Sequence, residues 1–332
     1  MDNFWKDKKV IITGGAGLIG SALACDLVLN GSKVTVIDDF SRGKEEFLQD
    51  VIDDIEIIRF DLCDYSKCEM HIKDADIVVH LASKVGGIKV YTDNPFSIMN
   101  DNLVMDSNTI RASIKNNIKQ FFYASSAHVY PIELQNNPNK THFISENRAY
   151  PADPLLTYGW AKLISEKQLI SATHEYEDFS VAIARYIGIY GSNQDYGLQT
   201  GSVIPVFSHR AIKYPSVDFT IWGDGKETRS YCYIDDAVQC TKMMIEKMKD
   251  VQIVGPYNVG SNDIVKIKEI AQKIVAISGK DVKIEFDTSK KAKILSQWCD
   301  CSCVFEEIGW QATTSFDDGL EIVYNDIERR IK

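Results

Sequence analysis

Compact runs of β-branched and aliphatic residues alternate with longer segments of helical period through the first half of the chain. "KKVIITGG" near the N-terminus reads as a buried strand. "LIGSALACDLVLNG" follows as a helix closed by Gly31, a residue type suited to the position just past a helix end. "KVTVIDD", "IEIIRFDL" and "ADIVVHLAS" predict three further strands. "NPFSIMNDNLVMDSNTIRASIKNN" predicts a long helix with Pro95 near its start, and "KQFFYASSAHVY" a fifth strand. "TYGWAKLISEKQLISATHEY" predicts another helix and "FSVAIARYIGIYG" another strand. Strand–helix alternation with continuously apolar strands implies an α/β fold, a doubly wound parallel sheet covered on both faces.

From about Ser192 the alternation loosens into loops, "VDFTIWGDG" and short helices. The expected organisation is a dinucleotide-type domain over residues 1–191 and a smaller substrate lobe over residues 192–332. A segment near residues 231–260, which includes "YCYIDDAVQCTKMMIEKM", is expected to return to the first domain. Without a flexible linker or an internal repeat, the two parts should share an interface with a cleft in it.

The chain has 332 residues, 45% of them hydrophobic, enough for a large core. A net charge of −10 with no long Lys/Arg run argues against a duplex nucleic-acid partner. No apolar run approaches the length that crosses a bilayer, so no membrane partner is expected. "MDNFWKDKKVIITGG" lacks the basic start, apolar stretch and small-residue site of an export signal, so a cytoplasmic location is expected. Reduced thiols are then expected for the 8 cysteines. Cys299, Cys301 and Cys303 alternate, which reads either as a metal or redox site or as a strand with small apolar residues on one face. Zinc ligands usually come as a wider pair with a second pair elsewhere, which is not evident here, so no metal is expected.

"TGGAGLIG" carries Gly14, Gly17 and Gly20 between a predicted strand and a predicted helix. The first glycine permits a tight turn, the second lets the backbone approach a pyrophosphate, and the third lets helix and strand pack closely. The helix start, at Leu18 and Ile19, would offer unpaired N–H groups to phosphate. Asp38 ends the second strand, where a carboxylate accepts from a ribose and repels a 2′-phosphate. NAD is therefore the expected cofactor rather than NADP, with Arg42 nearby as the feature that keeps NADP open. Tyr158 and Lys162 form Y-x-x-x-K, which puts both on one helical face. An ammonium beside a phenol lowers its pKa, so the pair can take a proton from a sugar hydroxyl while carbon gives up hydride. Ser125 and Ser126 end the fifth strand, at the sheet edge where open α/β folds bind ligands.

These residues carry a resemblance. The chain resembles the extended short-chain dehydrogenase/reductases, the NAD-dependent epimerase/dehydratase family, over nearly its whole length. The likeness runs through "TGGAGLIG", Asp61–Leu62, "HLAS" at His80–Ser83, Asn102, "YASSAHVYP", "YGWAK", "WGDGKETRSYCYIDD", "YNVGS" and "IGW". Within the family, "HLASKVGGI" is similar to GDP-fucose synthases, and "FFYASSAHVYP" and "WGDG…TRS" to GDP-mannose 3,5-epimerases. The resemblance implies a Rossmann-type domain with a small C-terminal lobe that binds a nucleotide-diphosphate sugar. It implies that Ser126, Tyr158 and Lys162 are the oxidoreductive triad, and that Asp61, Leu62, Leu81 and Ala82 line the cofactor. Gly86 and Gly87 would lie beside the sugar, Trp222 near the base, and Arg229 on the diphosphate, where a guanidinium fork suits phosphate oxygens. Relatives commonly form homodimers through the two long helices.

Four positions depart from the family pattern. His128 stands where the two epimerase-like branches carry a cysteine acid/base, and an imidazole can also shuttle protons near neutral pH. Ser202 and Val203 replace the partner acid/base. Gly188 replaces the asparagine of "R-x-x-N-x-Y-G", and Gln297, Asp300 and Lys293 stand where an arginine is usual. The Asp–Glu pair of the dehydratases is absent after Ser126. The resulting expectation is an epimerase that works through a transient 4-keto sugar, with a GDP-hexose or heptose favoured. Oxidation at carbon 4 and dehydration are the enzymic alternatives. A silent NAD-binding scaffold is the non-enzymic one.

Overall fold

The computed structural model describes residues 3–86, 88–135, 143–290 and 294–332. Seven strands build the central sheet: β1 (Lys9–Thr13), β2 (Lys33–Asp38), β3 (Ile55–Arg59), β4 (Ile77–His80), β5 (Gln120–Ser126), β6 (Ser180–Tyr186) and β7 (Ile253–Val259). All pairings are parallel, and the spatial order is β7-β6-β5-β4-β1-β2-β3. The order reverses at β1, whose Thr13 pairs with Ile37 on one side and His80 on the other. A crevice at the carboxyl ends of β1 and β4 follows from that reversal.

Period-two alternation divides the sheet side chains between two layers. Three long helices flank the sheet, α1 (Leu18–Leu29), α2 (Pro95–Lys115) and α3 (Thr157–Glu175). Ile11, Val78, Phe121, Tyr123, Val181 and Ile183 face one way and pack with Met105, Ile110 and Leu169 of α2 and α3. Val10, Ile12, Val79, Phe122 and Ala182 face the other way with Leu23 and Leu27 of α1. Both layers are therefore covered, as the continuously apolar strands require. Pro95 is the first residue of α2, where its missing N–H goes unneeded.

The remaining chain adds α4 (Val203–Lys213), α5 (Ile234–Lys247), α6 (Ile267–Ser278) and α7 (Phe316–Ile331). Val238 and Met244 of α5 join the layer that contains α1. β7 then pairs with β6, an addition to the sheet that the sequence pattern did not reveal. Short strands Thr228–Ser230, Ile264–Lys266 and Ser296–Gln297 form one small sheet, and Phe219–Trp222 pairs with Ile284–Asp287 in another.

Two predicted strands end early. "KQFFYASSAHVY" stops at Ser126 and tightens into a single turn over Ala127–Val129. "FSVAIARYIGIYG" breaks after Tyr186, and Ile189–Tyr190 pairs instead with Cys232–Tyr233. Gly188 makes that break, with φ +57 and a position whose Cβ would lie 2.1 Å from the Ser230 carbonyl oxygen. The alternating-strand reading of the cysteines also fails. Cys299 makes an isolated bridge to Ile144, and Cys301 precedes the helix Ser302–Ile308. Cys299 and Cys301 are nonetheless buried in the same core as Cys232 and Cys240, and burial pushes their thiols up. Among the described residues no group of three His, Cys, Asp or Glu side chains is placed to hold a metal.

Candidate active site

The turn after β1 is built from closely approaching backbone at its glycines. Gly14 has φ +68, and a Cβ on it would lie 2.6 Å from the Ala82 nitrogen, so the turn and the Leu81–Ala82 loop close on each other. A Cβ on Gly20 would lie 2.3 Å from the Gly14 oxygen, so this glycine sets how closely α1 packs on the turn. Gly17 would meet only the Gly14 oxygen, at 3.3 Å, and its outer face is open. Gly17 precedes α1 and gives it no side-chain cap, so the first N–H groups of the helix, at Leu18 and Ile19, receive no side-chain acceptor from it. Asp38 is buried at the end of β2, where its carboxylate accepts from the N–H groups of Ala16 (3.0 Å) and Phe40 (2.8 Å). Burial raises its pKa, and those two N–H groups pull the other way. Arg42 points elsewhere, donating to the Val85 carbonyl and facing Asp195 at 3.6 Å.

Further along the crevice, Asp61 accepts from the Cys63 N–H at 2.9 Å, and the buried Leu62 gives its carbonyl to Asn108. The Leu81 N–H donates to the Thr13 carbonyl at 3.0 Å, which ties this loop to the end of β1. Asn102 is fully buried and accepts from both Ser83 (2.6 Å) and the Lys84 N–H (3.0 Å), fixing the loop that leads to Gly86. Gly87 lies outside the described residues, as does Lys293.

Ser126, His128, Tyr158 and Lys162 converge at the carboxyl edge of β5. The turn after Ser126 brings His128 back toward α3: its ring lies 5.8 Å from the Tyr158 ring. The Ser83 and Ser126 hydroxyls lie on the Tyr158 side of this edge and both act to lower the pKa of its phenol. Burial nevertheless pushes the phenol up to about 12, against the pull of those two hydroxyls. The phenol thus keeps its proton at neutral pH, contrary to the expectation that Lys162 alone would release it. Burial of the phenol is the dominant cause; Lys162 is desolvated too, with its pKa pulled down by burial and its Nζ 5.8 Å from the Tyr158 ring centroid. His128 is held lower still, at about 4, by burial and then by the positive charge of Arg229. At neutral pH the ring therefore rests as a neutral imidazole.

The Lys162 Nζ is buried and has no hydrogen-bond partner among the described residues. A buried ammonium without an acceptor is strongly unfavourable unless a ligand supplies one. That orphan donor, the open face of Gly17 and the uncapped start of α1 together fit a dinucleotide lying along the crevice. Gly14, Gly17, Leu18, Ile19, Asp38, Asp61, Leu62, Leu81, Ala82, Tyr158 and Lys162 would hold it.

Several neighbours were not legible as site residues. The buried ring of Tyr91 lies 5.3 Å from that of Tyr158 and 6.0 Å from that of His128, with its hydroxyl on the Gly86 backbone. Gln297, noted only as a replacement for arginine, has its amide nitrogen 3.4 Å from His128 Nδ1. Arg229 donates to the carbonyls of Thr228 (2.7 Å) and Ile294 (3.0 Å), and its charge reaches His128. Trp222 is 43% exposed, with the Lys290 ammonium 4.1 Å from its ring centroid, which excludes simple core packing. Ser202 and Val203 begin α4. Behind the site, Glu166 and Arg185 form a buried pair (2.9 and 2.7 Å) that also holds Ser125.

The family described as NAD dependent epimerase/dehydratase matches residues 10–260. The chain belongs to that family. It is accordingly an NAD-dependent enzyme of epimerase/dehydratase type. Among relatives, a UDP-N-acetyl-alpha-D-glucosaminuronate decarboxylase of Bacillus cytotoxicus is 30% identical over 83% of this chain and 82% of its own length. The GDP-mannose 3,5-epimerase of Arabidopsis thaliana is 29% identical over all of this chain and 85% of its own. Among solved structures, a UDP-N-acetylglucosamine 4-epimerase of Methanobrevibacter ruminantium, in complex with UDP-N-acetylmuramic acid, superposes with a TM-score of 0.84 at 27% identity, covering 98% of this chain and 99% of its own. A UDP-glucose 4-epimerase of Thermotoga maritima shares the fold with a TM-score of 0.85 at 24% identity, over 98% of this chain and 100% of its own. No helix among the described residues is long and apolar enough to cross a membrane.

Proposed function

We propose that this family member epimerises the sugar of a nucleoside diphosphate through a transient 4-keto intermediate. The observation that carries the reading is the convergence of Ser126, Tyr158 and Lys162 with a fourth group, His128, against the same phenol. When bound, NAD supplies the hydride acceptor and, on hydride return, the donor, together with a positive charge that favours the phenolate. Tyr158 takes the proton of the carbon-4 hydroxyl, which Ser126 orients. Lys162 supplies positive charge behind the phenol. The ketone acidifies the carbon–hydrogen bonds on either side, and neutral His128 is in the form that accepts such a proton. Arg229 and Trp222 are assigned to the diphosphate and the base, Gly86 and Gly87 to the sugar. Residues 192–332 would form the lobe that admits it, and two copies would pair through α2 and α3.

The test is incubation with GDP-, UDP-, CDP- and dTDP-sugars in D₂O, followed by mass and NMR analysis. Deuterium at carbon 3 or 5 of an inverted product is expected. Inversion at carbon 4 without exchange would remove His128 from the scheme. Net loss of two hydrogens, of water, or of carbon dioxide from a uronic sugar would replace epimerisation with oxidation, dehydration or decarboxylation.

A further inference from the structure

A fully buried carboxylate lies behind the Tyr158–Lys162 pair. Asp106 sits on α2 and accepts from three side chains: His80 Nε2 (2.9 Å), the Tyr123 hydroxyl (2.5 Å) and the Ser165 hydroxyl (2.7 Å). His80 ends β4, and its Nδ1 lies 2.6 Å from the Thr13 hydroxyl at the entrance to the glycine turn. Tyr123 lies on β5, and Ser165 follows Lys162 by three residues on α3. The Lys162 ammonium stands 4.6 Å from the centroid of the Tyr123 ring, whose hydroxyl ends on Asp106.

The charges facing Lys162 can be followed element by element. From its own helix comes Glu166, which is closed by Arg185 through two hydrogen bonds. From β4 comes His80, which burial holds below its ordinary pKa and so neutral. Tyr123 from β5 and Tyr158 from α3 stay protonated, because burial raises both. From α2 comes Asp106. Burial pushes its carboxyl up, but the charge of Lys162 and the hydrogen bond from His80 outweigh that and hold it below the ordinary value. Among the described residues, Asp106 is the facing anion that no cation other than Lys162 balances. Two opposite buried charges stabilise each other strongly where water does not screen them.

We propose that Asp106 is a positioning residue of the catalytic pair, the counter-charge that holds Lys162 as an ammonium behind Tyr158, with Tyr123 touching both: its ring under the ammonium and its hydroxyl on the carboxylate. This rests on the reading of Tyr158 and Lys162 as the proton-transfer pair. It also assigns a purpose to Thr13, His80 and Ser165, which lock the carboxylate in place. Asp106→Asn isolates the charge from the packing. The amide oxygen can still accept from Tyr123 and Ser165. The amide nitrogen can donate to His80 Nε2 once the ring changes tautomer and donates from Nδ1 to Thr13.

The experiment is an NMR pH titration of the full chain labelled with ε-¹³C lysine, with the Lys162 signal assigned by its absence in Lys162→Ala. In Asp106→Asn the Lys162 ionisation should fall by about one unit or more. In Tyr123→Phe, which keeps the charge and the ring but removes one hydrogen bond, it should hold within a few tenths. Equal shifts in the two variants, or none in Asp106→Asn, would overturn the proposal. If Asp106→Asn does not fold, the wild-type titration decides: an ammonium at neutral pH supports the counter-charge, and a neutral amine refutes it. Turnover of the sugar panel by Tyr158→Phe and Lys162→Ala would refute the pair itself, whatever the titration shows.

Discussion

His128 shows how far a single residue's chemistry depends on its surroundings. Its sequence position suggested a group that shuttles protons near neutral pH. Burial, then Arg229, set its pKa at about 4 rather than the ordinary 6.5. The linkage has a definite sign. Above about pH 6.5 both folded and unfolded chains hold the ring neutral, and it contributes nothing. As pH falls from 6.5 toward 4, the unfolded chain takes up a proton that the folded one refuses, so stability is lost. The expected loss is about 1–3 kcal/mol across that window. Urea unfolding at several pH values should show it in the wild type and a flatter dependence in His128→Gln. Identical slopes would mean that the ring is solvated in the folded protein. Tyr91 and Asp106 were not legible at this scale. Asp106 did leave a trace, since it falls on the helical face shared by Asn102, Thr109 and Ser113, all buried. An acidic residue at a buried helical period signals a charge that must find partners.

The helices and most sheet strands were legible as elements, because period-two and period-3.6 patterns survive without tertiary context. Strand ends were less legible. β5 and β6 each stop inside the stretch that the sequence predicts as one strand, at Ser126 and Tyr186. What stops β6 is the need to turn at Gly188 and pass close to the Ser230 carbonyl. Gly188→Ala tests that account. A Cβ at φ +57, 2.1 Å from that oxygen, demands a backbone shift, so a loss of about 1–3 kcal/mol is expected by calorimetry. An unchanged melting temperature would sink it.

At the scale of the whole molecule, the crevice exists only because β1 and β4 lie side by side with their connections on opposite faces. Residues of the turn after β1, of β2, of the loop after β4 and of α3 line it, although they span Gly14 to Lys162 in sequence. A ligand that binds this folded arrangement alone raises its stability by mass action. NAD at a hundredfold excess over its dissociation constant should add about 2.7 kcal/mol, read as a rise of several degrees in thermal unfolding. NADP should add much less, because a carboxylate at the end of β2, Asp38, would repel the extra phosphate, and Arg42 is turned toward Val85 and Asp195. A larger rise with NADP would overturn the role given to Asp38.

The sequence by itself determined the layered α/β architecture, the glycine turn, Asp38 as the mark of NAD, and the Tyr158–Lys162 spacing. Each of these depends on local period or on residues a few positions apart. Only the tertiary structure decided the electrostatic state of the site: a phenol held protonated, an imidazole held neutral, and an ammonium without a hydrogen-bond acceptor. Those states come from burial and from charges on other elements, such as Arg229 beside His128 and Asp106 behind Lys162. Desolvation and through-space charge depend on distance in the folded chain, and no separation along the sequence encodes them.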